Sequence, residues 1–387
     1  MIYLDNAATT EMAPEVFDAM YPYMTREFGN PGSLHKMGRE AAKAVEKARE
    51  QTAQLFGCKP EQVIFTSGGS EGNSMVFRGL KDKLLAEGKN HIVVSAIEHD
   101  SVVRAAETLI KDGFDIDLVY PNPSKCVGSE EVFDVMRDNT GLVSVMSVNN
   151  ELGTGNLILS IGKLCCGEGV LFHSDCVQAA GHIRIDVERQ NMDFATISAH
   201  KLHGPKGVGA LFVRDKNISP LICGGEMQEF GLRGGTENVA GIVGLGKACE
   251  LFVNCSTDEL NNPWIMSLAF IKALQDEFGE DDLSKVGVRI NQGGAILYTH
   301  VLSITVDRVF GESLVLMMDS MGVCISAGSA CRSHETMPSW TLRSYGLSED
   351  EAMRTVRVSF SRYTTREEAE AGAKIMADCI KTLRDVQ

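Results

Sequence analysis

Between residues 11 and 250, short apolar runs alternate with longer amphipathic ones, and this alternation limits the fold more than any other feature. Residues 40–55, 75–85 and 101–111 carry apolar or small residues at helical spacing among charges. Between and after them lie β-rich runs at 63–65, 91–95, 116–120, 142–148, 170–172 and 194–198, with one more at 207–213. Short strands, apolar on both faces and separated by helices, predict an α/β fold: a mostly parallel, mixed sheet with helices on both faces. The pattern breaks near residues 255–263. Beyond it the chain reads as a helix at 264–278, strands around 301–306, 323–325 and 356–360, and a charged helix at 366–383. That grouping predicts a smaller α+β domain. The expected division is a large domain over 11–258 and a small one built from 1–10 and 259–387.

A chain of 387 residues with 44% apolar content is long enough for two such cores. Its 37 basic residues against 52 acidic ones give a net charge of −15, which argues against direct nucleic-acid binding. No uncharged apolar run reaches membrane-spanning length, and Met1 leads into Ile2-Tyr3-Leu4-Asp5 without a basic-then-apolar leader. The expectation is a cytoplasmic protein. Its eleven cysteines include no Cys-x-x-Cys pair, so most read as buried, reduced thiols and none as a metal site.

Polar motifs close the apolar runs, where α/β proteins place their chemistry. Ser198-Ala199-His200-Lys201 follows the run at 194–198, and Asp175 follows the run at 170–173. Most lysines are merely solvated. A lysine and an aspartate at adjacent strand ends, however, are what pyridoxal phosphate needs. The lysine holds the aldehyde, and the carboxylate keeps the pyridine nitrogen protonated so that the ring accepts electrons. Spacing alone leaves Lys206 open as the lysine.

A phosphate site fits the strand–turn–helix sequence Val63-Ile64-Phe65-Thr66-Ser67-Gly68-Gly69-Ser70-Glu71-Gly72-Asn73. Gly68 and Gly69 let the backbone approach an anion, and Ser70 with the first helical N–H groups can donate to it. The turn is neither a Walker loop nor the dinucleotide fingerprint, which removes a nicotinamide oxidoreductase. His99 in Ile-Glu-His-Asp, Asn150 in Asn-Asn-Glu, and Gln178 three residues after Asp175 complete the set.

Taken together the motifs resemble the cysteine desulfurases, class V, fold-type-I pyridoxal-phosphate enzymes that include the nitrogen-fixation and iron–sulfur-cluster desulfurases. The resemblance runs from Tyr3-Leu4-Asp5-Asn6-Ala7-Ala8-Thr9-Thr10 through Phe28-Gly29-Asn30-Pro31 to the last arginine-containing strand. It implies that Lys201 holds the cofactor, Asp175 pairs with the pyridine nitrogen and His99 stacks on the ring and assists catalysis. Asn150 and Gln178 would contact ring oxygens, while Gly69, Ser70, Ser198 and His200 would hold the phosphate. Thr236, in Arg-Gly-Gly-Thr-Glu-Asn, would reach the phosphate of a second subunit, which implies a homodimer.

Cys331 carries the distinguishing chemistry. Its Ser-Ala-Gly-Ser-Ala-Cys context has no packing reason to be apolar and fits a tether for an exposed nucleophile. Arg357 matches the family arginine that binds the substrate carboxylate, with Asn150 beside it. The implied reaction removes sulfur from L-cysteine, gives L-alanine and leaves a persulfide on Cys331 for a protein acceptor. The long segment after Cys331 resembles the mobile-loop subgroup, and the end at Gln387, short of a longer tail, favours a specialised sulfur pathway. Ser70, Gly72, Ala327 and Ser361 depart from the usual pattern without removing a catalytic group. A selenocysteine lyase or another class V enzyme would share the cofactor residues, although the Gly-Ser-Ala-Cys context speaks against a plain aminotransferase. A sulfur-pathway scaffold on the same fold would predict damage to Lys201, Asp175 or Arg357, and none is present.

Overall fold

A computed structural model describes residues 1–225, 227–291, 300–328 and 338–385. The chain starts with β1 (Ile2–Tyr3), α1 (Pro14–Thr25) and α2 (Lys36–Phe56). The alternating region follows as β2 (Val63–Thr66), α3 (Gly69–Ala86), β3 (His91–Ser95), α4 (Asp100–Ile110), β4 (Asp115–Val119) and α5 (Ser129–Val135). It continues through β5 (Thr140–Ser144), α6 (Ile158–Glu168), β6 (Leu171–Asp175), β7 (Phe194–Ser198) and β8 (Gly209–Val213) to α7 (Val239–Val253). Then come α8 (Thr257–Phe278), β9 (Val288–Ile290), β10 (Val301–Val306), α9 (Gly311–Ser320) and β11 (Val323–Cys324). The last elements are α10 (Trp340–Ser344), α11 (Glu349–Met353), β12 (Thr355–Ser359) and α12 (Arg366–Asp385).

Seven strands form the large sheet in the order β2-β8-β7-β6-β5-β3-β4. Only β8 runs against its neighbours, so the sheet is mostly parallel and mixed, as the sequence predicts. Alternation along each strand splits its side chains between two cores. Phe65, Val93, Val143, Phe172 and Phe212 pack towards α2, α6 and α7, whereas Ile64, Ile92, Leu142, Phe194 and Leu211 pack towards α3 and α4. A separate core joins Leu4 to α8, α9, α12 and the antiparallel sheet β12-β10-β9.

Two boundaries differ from expectation for identifiable reasons. The helix expected at 264–278 begins at Thr257, because Ser256 and Glu259 make a reciprocal capping box seven residues before Pro263. The proline lies inside the helix rather than ending the broken stretch before it. The strand expected over 142–148 loses its regular ladder after Ser144, although the Val145 and Ser147 N–H groups still donate to His173 and Asp175 carbonyls.

Candidate active site

Parallel strands put their C-terminal ends on one edge, and the polar motifs meet there. A cavity of about 210 Å³ is lined by Gly69, Ser70, His99, Asn150, Asp175, Gln178, Ser198, His200, Lys201 and Arg357, together with Ala7, Ala8, Ser101, Met146 and Val177. Lys201 lines it beside Asp175. Lys206 is exposed and borders only an adjoining opening around Ser67–Glu71 and His200 (residues 67–71 and 200). Thr236 is exposed and does not line the cavity. Cys331 lies outside the described residues.

The phosphate turn forms because Gly68 adopts φ +154° and ψ −174°, a region closed to other residues, before α3 starts. Gly72 lets α3 approach β7, since a Cβ there would sit 2.7 Å from Thr196 Cγ2. The start of α3 therefore faces Ser198 and His200 with unsatisfied N–H groups and a positive dipole end. Burial first, and then the charges of Lys201 and Lys206, push the His200 imidazole down to about 4. It stands neutral at pH 7, with Nδ1 3.2 Å from Thr9 Oγ1.

Asp175 is 3% exposed, and neutral groups hold both its oxygens: Asn73 Nδ2 donates at 2.8 Å and the Val177 N–H at 2.9 Å. No salt bridge reaches it among the described residues. A buried carboxylate without a cation, a helix N-terminus ringed by hydroxyls and a half-buried lysine together fit pyridoxal phosphate: pyridine nitrogen, phosphate and aldehyde each find a partner.

Asn73 spends its second amide hydrogen on Ser101 Oγ at 2.9 Å, and that hydroxyl is 2.8 Å from His99 Nδ1. The Ser101 backbone N–H also donates to Nδ1, at 3.1 Å. A nitrogen that accepts from a backbone N–H carries no proton, so neutral His99 holds its proton on Nε2. The residue before it, Glu98, is 3% exposed and accepts from the Met146 N–H at 2.5 Å. Burial, then the charge of Asp175, raises its carboxyl well above the ordinary range and so favours its neutral form.

The opposite wall comes from the N-terminal segment and the small sheet. Lys201 Nζ donates to the carbonyls of Ala7 at 2.5 Å and Ala8 at 2.8 Å. Arg357, 2% exposed on β12, donates to Asp5 Oδ1 at 2.9 Å and to the Asn150 carbonyl at 3.0 Å, while its buried Nε has no acceptor among the described residues. Asn73, Ser101, Glu98, Asp5 and the Ala7 and Ala8 carbonyls are site groups that sequence reasoning gave no role. Asn73 stood in the glycine motif and Asp5 in the N-terminal one, but backbone carbonyls leave no residue-type signal.

The chain matches the class-V aminotransferase family over residues 2–371. The cysteine desulfurase IscS of Dictyoglomus turgidum is 38% identical over 386 residues, covering 100% of this chain and 96% of its own. Among solved structures, a NifS-like protein is 31% identical with a TM-score of 0.87, over 98% of this chain and 99% of its own. SspA, solved in complex with cysteine, is 34% identical with a TM-score of 0.79, over 94% of this chain and 100% of its own. Such identity along the full length places the chain in the class-V aminotransferase family and, within it, among the cysteine desulfurases.

Proposed function

We propose that the cavity at the strand ends holds pyridoxal phosphate and L-cysteine, and that Cys331 receives the substrate sulfur. The observation that carries this reading is the pairing of half-buried Lys201 with the cation-free, buried Asp175 in one cavity. When bound, the cofactor supplies an electron sink for the substrate Cα.

The chain's own residues do the rest. Gly69, Ser70, Ser198 and neutral His200 would hold the phosphate, and Asn150 and Gln178 would meet ring oxygens. Arg357, steadied by Asp5, offers its guanidinium to the substrate carboxylate. Lys201 would take the Cα proton, and His99, which would lie against the pyridine ring, has a proton to give at Nε2. The Cys331 thiolate attacks the substrate sulfur: an S–S bond forms, the C–S bond breaks, and its electron pair goes to carbon. Protonation of that carbon and return of the Cα proton by Lys201 yield L-alanine, and the persulfide passes to an acceptor protein. Cytoplasm is the compartment this chemistry fits, since thiols stay reduced there.

We assign residues 11–258 to the cofactor-binding domain and 1–10 with 259–387 to the smaller one, supported by their separate cores. The working form is a homodimer in which Thr236 serves the partner's phosphate site. Support comes from the exposure of Thr236 and of the apolar Phe17, Met24, Phe28 and Leu34 along α1 and the segment after it.

Cys331→Ser tests the reading. The variant should keep a yellow cofactor band and bind cysteine, yet form no persulfide and release no sulfide. Normal alanine production by Cys331→Ser would remove the thiolate step and leave a direct lyase.

A further inference from the structure

Gln178 is 3% exposed, and its amide is gripped from both ends. Nε2 donates to the Ala7 carbonyl at 2.8 Å, and Oε1 lies 3.3 Å from His300 Nε2. An amide oxygen only accepts, so His300 carries a proton on Nε2. His300 precedes β10 in the small sheet, and its ring stacks on His182 of the large unit with centroids 3.6 Å apart and planes 9° from parallel. Burial, then the charges of His300, His203 and Arg362, holds the His182 ring well below its ordinary range and keeps it neutral.

Reversing the Gln178 amide would set acceptor against acceptor at Ala7 and would require His300 to shift its proton to Nδ1. The Ala7 carbonyl selects one orientation, and the His300 Nε2 proton holds it. It puts the Nε2 amide on the side of Lys201, whose Nζ shares the Ala7 carbonyl, and leaves its second hydrogen for the cavity. Removing His300 would leave one of the two restraints.

We propose that His300 is a positioning residue for the cofactor: it fixes the Gln178 amide so that an N–H, not a carbonyl, meets the ring oxygen of pyridoxal phosphate. His182 fixes the plane of His300 by stacking. The small sheet thereby sets the cofactor's hydrogen bonding without touching it. The inference rests on the assignment of Gln178 to the cofactor.

The test is a double-mutant cycle on the dissociation constant of pyridoxal 5′-phosphate for the apo protein, with the apo melting temperature alongside. His300→Phe keeps a ring on His182 but has no donor, and should weaken binding about fivefold, the worth of one hydrogen bond. His300→Gln restores a donor and should stay within about twofold of the parent. In a Gln178→Leu background, His300→Phe should change the constant by less than about twofold, because the two act as one unit. Equal losses in both backgrounds, or equal losses for His300→Phe and His300→Gln, would overturn the inference. Unchanged affinity in Gln178→Leu alone would instead overturn the assignment of Gln178, and the inference with it.

Discussion

The two walls of the cavity are built by different means. One is the edge of the large sheet, where Asp175 ends a strand and Ser70, His99 and Lys201 each follow one by a few residues. The other is laced together over long distances: Asp5 to Arg357, Ala7 to Gln178 and Lys201, and Gln178 to His300. The first wall supplies charge and protons. Apart from the Arg357 cation, the second supplies orientation. A substitution in the first should therefore cost more than one in the second, and that ordering can be broken experimentally.

The largest effect is expected at Asn73, which is fully buried and donates to both Asp175 and Ser101. Asn73→Leu removes a hydrogen bond to a buried carboxylate, worth about 2 kcal/mol, or about thirtyfold in cofactor affinity. Titration of the apo protein with pyridoxal 5′-phosphate measures it. A loss no larger than that of His300→Phe would erase the proposed difference between the walls.

The same contrast explains what the sequence disclosed. Strand ends in a parallel sheet share an edge by geometry, so Lys201, Asp175, His99 and the glycine turn were legible one motif at a time. Nothing local pairs Asp5 with an arginine 352 positions away, or brings His300 to Gln178 across 122. Asn73 was visible as a letter in the glycine motif, but its partners, Asp175 and Ser101, follow two later strands. The start of α8 was hidden for a different reason. Pro263 reads as a breaker, whereas the capping box at Ser256 had already begun the helix.

Acid should separate the two regions next. His173 lies inside the large sheet, with Nδ1 2.8 Å from Ser144 Oγ, and burial pushes it down to about 3. His200 and His203 are lowered to about 4. A folded-state value below the unfolded one means that the folded chain binds fewer protons. The stability is complete above the unfolded value of about 6.5 and drains away as pH falls towards 3. At pH 5 the His173 term alone removes about 2 kcal/mol. Hydrogen exchange of the apo protein at pH 7 and pH 5 should show β5–β7 losing protection ahead of β10 and β12. Uniform loss across both sheets would mean that they unfold as one unit.

The smallest effect on turnover is expected at Glu98, although it precedes His99 and senses the Asp175 charge. Because burial and the Asp175 charge push its carboxyl towards the neutral form, Glu98→Gln keeps the shape of that form and adds no charge. Asp175 then remains the negative group available to the pyridine nitrogen, with or without the substitution. Stability should respond in the opposite sense to the histidines. A raised folded-state value makes the folded chain hold a proton that the unfolded chain releases. Wild-type stability therefore falls as pH rises from about 4.5 towards that value. The glutamine variant has no such slope, so its melting temperature relative to wild type should climb between pH 5 and pH 8. A difference that stays flat over this range would show Glu98 to be ionised in the fold, placing a second charge beside Asp175 and giving the strand-end wall a different electrostatic design.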